Sequence, residues 1–234
     1  MNSLLLLPGM ACDAEVFAHQ QPLLARTHRV HVSDAHCRFA TLPQMASALL
    51  AEHRGKQVLV GSSMGGMLAL EMLRQAPQRV RGIVLLSSTA RPDTPALIKL
   101  RTQACELFAA GRMDEVMRAN TLFAFHPNSM RNRALVERYL AMVRRVGAPQ
   151  LIAQNRAVMT RVDSRPLLQT VTCPLLIACG EADGLTTPEQ AREMAALAPH
   201  ARLEIVPGAG HMLTMEQPER VNALLLDWLQ TLGV

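Results

Sequence analysis

The chain has 234 residues, 49% of them hydrophobic, with 24 Lys and Arg against 19 Asp and Glu, a formal net charge of +5. That length suffices for one large buried core, and no apolar run approaches the roughly 18 residues that cross a bilayer. The arginines are scattered and only one Trp and one Tyr are available for stacking, which argues against a nucleic-acid partner and leaves a mild bias toward anionic ligands.

Leu4 to Leu7 reads as a first strand buried on both faces. The run is too short for a signal peptide, has no basic residue before it, and stops at Pro8-Gly9. The loop Pro8-Gly9-Met10-Ala11 follows, and Asp13 is placed to cap a helix running to about Leu24. Arg29 to Ser33 makes a second strand, residues 35–40 a loop, and Leu42 to His53 a helix.

The next stretch carries the chemistry. Val58-Leu59-Val60 predicts a buried strand and Met67 to Leu73 a buried helix, with Gly61-Ser62-Ser63-Met64-Gly65-Gly66 between them. Gly61-Ser62-Ser63-Met64-Gly65 fits Gly-x-Ser-x-Gly, the spacing of a strand-to-helix turn that holds its central serine in a strained conformation. Side chains at the flanking positions would clash, hence glycine. Ser63 is the candidate nucleophile, and Ser62 has the wrong spacing. The helix N-terminus favours developing negative charge, and the Met64 N–H points where an oxyanion would form. Met10, in the loop after the first strand, is the candidate second oxyanion donor.

Gly82 to Leu86 gives a fourth strand. From about residue 91 to 165 strand-like runs vanish and a 3.6-residue apolar period appears, broken at Gly111, Pro127 and Gly147-Ala148-Pro149. This predicts a helical lid, inserted between two halves of one core (1–90 and 166–234) and covering the edge that carries Ser63. Pro174 to Ala178 resumes the sheet, a helix spans Pro188 to Leu197, Arg202 to Val206 is the last strand, and Gln217 to Leu232 an amphipathic helix. Alternating strands and helices predict a mainly parallel, doubly wound α/β sheet, whose sites lie beyond the carboxyl ends of the strands.

Ser63 needs a base, and histidine can both take the proton and return it. Of eight histidines, only His211 lies in a glycine-rich loop just past a sheet strand, Val206-Pro207-Gly208-Ala209-Gly210-His211. His126, in the insertion, is the alternative. Asp183, directly after the penultimate strand, is the favoured carboxylate to orient the imidazole; Glu181 and Asp93 are its competitors. The order Ser63, Asp183, His211 is the one expected when a nucleophile elbow comes first. Met67, Phe123, Phe125, Met212 and Leu213, with Met64, are candidate walls of an apolar pocket. Arg156 and Arg161 are candidates to meet an anionic group.

Across LLLLPGM, VLVGSSMGG, CGEADGLTTPEQA and VPGAGHMLTMEQPERVNALLLDWL the chain resembles the α/β-hydrolase superfamily, in its esterase and enol-lactonase branch, over nearly its whole length. Glu216, Pro218 and Val221 stand in matching places. The resemblance implies a Ser63-Asp183-His211 triad, an oxyanion hole from Met10 and Met64, and a helical lid. The antiparallel hairpin common at the start of this fold is expected to be missing, because the chain opens on its first buried strand. The expected activity is hydrolysis of small carboxylic esters or lactones through an acyl-enzyme. C–C bond hydrolysis, acyl transfer on the same triad, and a slow-turnover small-molecule sensor are the alternatives. No cofactor or metal is expected, since no dinucleotide fingerprint or ligand cluster is visible. The five cysteines are odd in number with no metal or redox spacing, so a reducing, cytoplasmic location is expected.

Overall fold

The computed structural model describes residues 3–233. Six strands form one sheet in the order β2-β1-β3-β4-β5-β6, and every pairing is parallel. The strands are β1 (Ser3–Leu7), β2 (Arg29–Val32), β3 (Gln57–Ser62), β4 (Val80–Leu86), β5 (Leu175–Gly180) and β6 (Arg202–Val206). β3 and β5 are buried at every position, whereas β2 and β6, at the sheet edges, are only partly so. That gradient is what a sheet covered on both faces requires. No antiparallel strand pair occurs among the described residues.

Four helices precede β4: α1 (Gln21–Leu24), α2 (Ala35–Arg38), α3 (Leu42–Glu52) and α4 (Met64–Gln75). Between β4 and β5 lie α5 (Pro95–Ala109), α6 (Met113–Ala124), α7 (Arg133–Val146), α8 (Ala148–Met159) and the single turn α9 (Arg165–Leu168). The chain closes through α10 (Pro188–Leu197), α11 (Leu213–Glu216) and α12 (Pro218–Gln230). Thr41 and Thr94 cap α3 and α5 by accepting the N–H of Gln44 and Leu97, and proline opens both helices near N1.

Two apolar cores sandwich the sheet, and alternate residues of each strand feed opposite sides. Leu4 and Leu6 join Val58, Val60, Val84 and Trp228 on one face, together with the insertion residues Phe125, Tyr139 and Leu140. Leu5 and Leu7 join Leu59, Ile83, Leu85 and the buried faces of α3 and α4 on the other. No helix among the described residues is long and apolar enough to cross a membrane.

Two sequence expectations need correction. The helix expected from Asp13 to Leu24 is a 3-10 turn at Ala14–Phe17 followed by α1. Asp13 does cap the first turn, through the Glu15 N–H. The break comes where Gln20 is drawn inward to donate to the Thr214 carbonyl at 3.2 Å. Residues 35–38, expected as loop, form α2. The closing helix expected over 217–232 is α12; Pro218 opens it, and α11 is a separate turn before it.

Candidate active site

Parallel pairing puts the carboxyl ends of all six strands on one edge. Ser62 at the end of β3 lies opposite Leu86, Leu86 opposite Ala178, and Gly180 opposite Val206. Two strand spacings, about 10 Å, therefore separate β3 from β5, a gap that side chains from the two ends and a loop from β6 can close.

Ser63 stands between β3 and α4 with φ 52° and ψ −115°. A non-glycine residue adopts this conformation only when its surroundings enforce it. Three hydrogen bonds do so: the Ser63 N–H donates to the Leu86 carbonyl (2.8 Å), and the Ser63 carbonyl accepts from Gly66 N–H (2.9 Å) and Ser88 Oγ (2.8 Å). The flanking glycines are steric necessities. A Cβ on Gly65 would overlap the Leu7 carbonyl, and one on Gly61 the Gly65 backbone. Ser62 and Met64 are buried while Ser63 keeps partial exposure, so the turn presents Ser63 and hides its neighbour.

Two backbone donors border this serine. Met64 is the first residue of α4, where an N–H has no intrahelical acceptor. Met10 lies in the loop after β1, whose Gly9 is so close that a Cβ there would sit 3.2 Å from Ser63 Cβ. The next N–H in that loop, from Ala11, is occupied: it donates to Gln154 Oε1 of α8 at 2.9 Å. Neither Met10 nor Met64 N–H donates to another group among the described residues.

On the same edge, His211 Nδ1 lies 3.0 and 2.9 Å from the two carboxylate oxygens of Asp183. A carboxylate only accepts, so Nδ1 carries the hydrogen and Nε2 presents a lone pair. Asp183 is buried, and burial pushes its carboxyl up; the charge and hydrogen bond of His211 and the Thr186 and Leu185 N–H groups outweigh that and hold it below the usual range. Thr186 Oγ1 donates to Asp183 Oδ2 at 2.9 Å and lies 3.2 Å from His211 Nδ1. Ser63 Oγ makes no hydrogen bond among the described residues. Nucleophile–base bonds are often long without a bound substrate.

The competitors are placed elsewhere. Glu181 accepts from the Gly208 N–H at 2.6 Å and faces His126 at 3.6 Å. The Asp93 side chain is fully buried between Arg101 (2.8 Å) and Arg161 (2.6 Å). Arg161 is thus committed to an internal ion pair rather than presented to a ligand, while Arg156 is exposed. Of the expected pocket walls, Phe125 is buried edge-to-face on Tyr139, and Met212 and Leu213 are buried in the same core. Met67 lines a small recess with Ala90 and Arg161, and Phe123 is 57% exposed. Sequence reasoning passed over Ser88, Thr186 and Gln154. Only Thr186 carried a local signal, three residues past a candidate carboxylate. Among the described residues no group of three or more His, Cys, Asp or Glu could hold a metal ion.

A pimeloyl-[acyl-carrier protein] methyl ester esterase from Edwardsiella ictaluri is 26% identical, over 97% of this chain and 93% of its own. One from Xanthomonas oryzae pv. oryzae is 28% identical over 95% and 93%. The solved structure of a thermophilic esterase from Thermogutta terrifontis, malate bound, superposes with a TM-score of 0.91 at 28% identity, covering 100% of this chain and 91% of that one. The enol-lactonase of Burkholderia xenovorans LB400 shares the fold, with a TM-score of 0.84 at 21% identity over 98% and 91%. The family model described as "Alpha/beta hydrolase family" matches residues 4–224, and the chain belongs to that family.

Proposed function

We propose that the protein is a serine hydrolase of small carboxylic esters or lactones. The observation that carries the reading is a serine held at positive φ on the sheet edge that also bears an Asp183-paired imidazole. In this reading His211 Nε2 takes the proton of Ser63 as Oγ attacks the carbonyl carbon. The Met10 and Met64 N–H groups receive the oxyanion, and its collapse expels the alcohol, protonated by His211. Water, deprotonated by His211, then attacks the acyl-enzyme, and release of the acid returns the proton to Ser63. Asp183 stays ionised and stabilises the imidazolium. Family membership and the esterase names among its relatives support ester cleavage; the helices of residues 91–165 would form the lid that selects the substrate.

A fluorophosphonate probe tests this directly. It should label the protein once, Ser63→Ala should abolish labelling and lower ester turnover by about 10⁴–10⁶, and Ser62→Ala should keep both. Labelling that survives Ser63→Ala would refute the assignment. A panel of short esters, methyl esters of diacids and lactones then ranks the substrates.

A further inference from the structure

The loop that carries His211 is held by the helical insertion. Past α6, the chain at residues 123–126 runs against both loops of the candidate base. The Phe123 carbonyl accepts from Gly184 N–H (3.1 Å), next to Asp183, and the Ala124 carbonyl accepts from His211 N–H (2.8 Å) and Met212 N–H (3.2 Å). Contact is so close at Gly210 that a Cβ there would sit 2.7 Å from His126 N and from the Phe125 carbonyl carbon.

One side chain closes this seam. Glu216, at the end of α11, points back into it: Oε1 accepts from the Gly210 N–H at 2.9 Å and Oε2 from the His126 N–H at 2.8 Å. One carboxylate thereby satisfies two backbone donors from segments about 85 residues apart in sequence, one of them immediately before His211. We propose that Glu216 is a positioning residue for His211, a two-pronged clamp that fixes the base loop against the insertion and so sets the imidazole relative to Ser63. This rests on the hydrolase reading above and adds a residue to it.

The chemistry of the clamp is specific to a carboxylate. Two parallel N–H donors need two acceptors, and an amide offers one acceptor and one donor. Burial pushes the Glu216 carboxyl up despite the His126 and Gly210 N–H groups, the Ser129 side chain and the His126 imidazole, all of which favour its ionised form. The sign follows: a raised folded pKa means that ionising Glu216 costs stability, and the cost disappears as pH falls below that pKa.

Glu216→Gln separates the two roles. Rates of ester hydrolysis are divided by the concentration of sites titrated with fluorophosphonate, so a misfolded fraction does not count. The proposal expects kcat per titrated site to fall about tenfold or more, the scale set by sub-ångström misplacement of a catalytic group, with KM within about twofold. The low-field Nδ1 proton of His211 provides a readout independent of turnover: sharp in the parent protein, it should broaden in Glu216→Gln with circular dichroism unchanged. A variant with parental kcat per site and a sharp Nδ1 proton would overturn the clamp. A parent protein that hydrolyses no ester would instead refute the hydrolase reading, and the proton signal would still decide whether Glu216 positions His211.

Discussion

The candidate nucleophile, Ser63, and the candidate base, His211, reach the same edge by opposite means. Ser63 is positioned by its immediate neighbours in sequence: glycines on either side, the start of α4, and short bonds to the ends of β4. Its geometry is a steric consequence of a tight turn, fixed once β3 pairs with β1 and β4. His211 sits in an irregular loop five residues past β6, outside any strand or helix. Its support comes from Asp183 and Thr186 on the β5 loop, from Ala124 across the insertion seam, and from Glu216 on its own segment, which ties Gly210 to His126. A nucleophile can be built from backbone, whereas a base that must move a proton is placed by a network of long-range hydrogen bonds.

On the base side, the largest effect should come from the network. Asp183→Asn preserves shape but presents an N–H donor where Nδ1–H must donate, so the imidazole takes the wrong tautomer. Turnover should fall about 10⁴-fold with the fold intact by circular dichroism. The same variant tests the pH linkage. Because the folded pKa of Asp183 is depressed, its stabilisation is complete above the unfolded value of about 3.9 and is lost as pH falls through the folded one. Thermal unfolding of parent and variant should differ at neutral pH and converge toward pH 2.

The elbow should break differently. Gly65→Ala places a methyl into the Leu7 carbonyl of β1, so stability should drop by more than about 4 kcal/mol, or the protein should fail to accumulate. Folding with near-parental stability in a denaturant titration would mean that the turn is looser than described. Ser63→Gly runs the other way. It should abolish turnover yet raise stability by about 1 kcal/mol, by releasing a residue held at positive φ. Loss of stability in this variant would contradict the strain.

The smallest effect belongs to the surface of the insertion. Arg145 pairs with Asp13 at 2.8 Å, both partly exposed. Arg145→Ala should cost no more than about 1 kcal/mol and leave ester turnover unchanged. A large loss of activity would show that the insertion is tuned from its outer face as well as from the seam.

The same contrast governs what the sequence made legible. β1, β5, β6 and α10 are readable because their apolar period and proline or glycine punctuation are local, and so is Ser63. Asp183 and His211 were readable because each follows a strand end, although Glu181 and His126 could not be dismissed until the loops were folded. Residues whose partners lie far along the chain left no pattern. Gln154 meets Ala11 across 143 positions and Glu216 meets His126 across 90. Arg161, weighed as an anion-binding group, is instead sealed against Asp93, a pairing that spacing does not encode. Likewise the apolar residues Phe125, Met212 and Leu213 looked equally suited to wall or core until packing placed them in the core.

The central claim is that Ser63, His211 and two backbone N–H groups surround one reacting carbon. A crystal structure of the protein inactivated by a small fluorophosphonate tests it most directly. The account predicts phosphorus bonded to Ser63 Oγ, one phosphonyl oxygen within about 3 Å of both Met10 N and Met64 N, the spacing of an oxyanion hole, and His211 Nε2 within hydrogen-bond reach of Oγ. An adduct on another residue, or a phosphonyl oxygen turned away from both N–H groups, would contradict it.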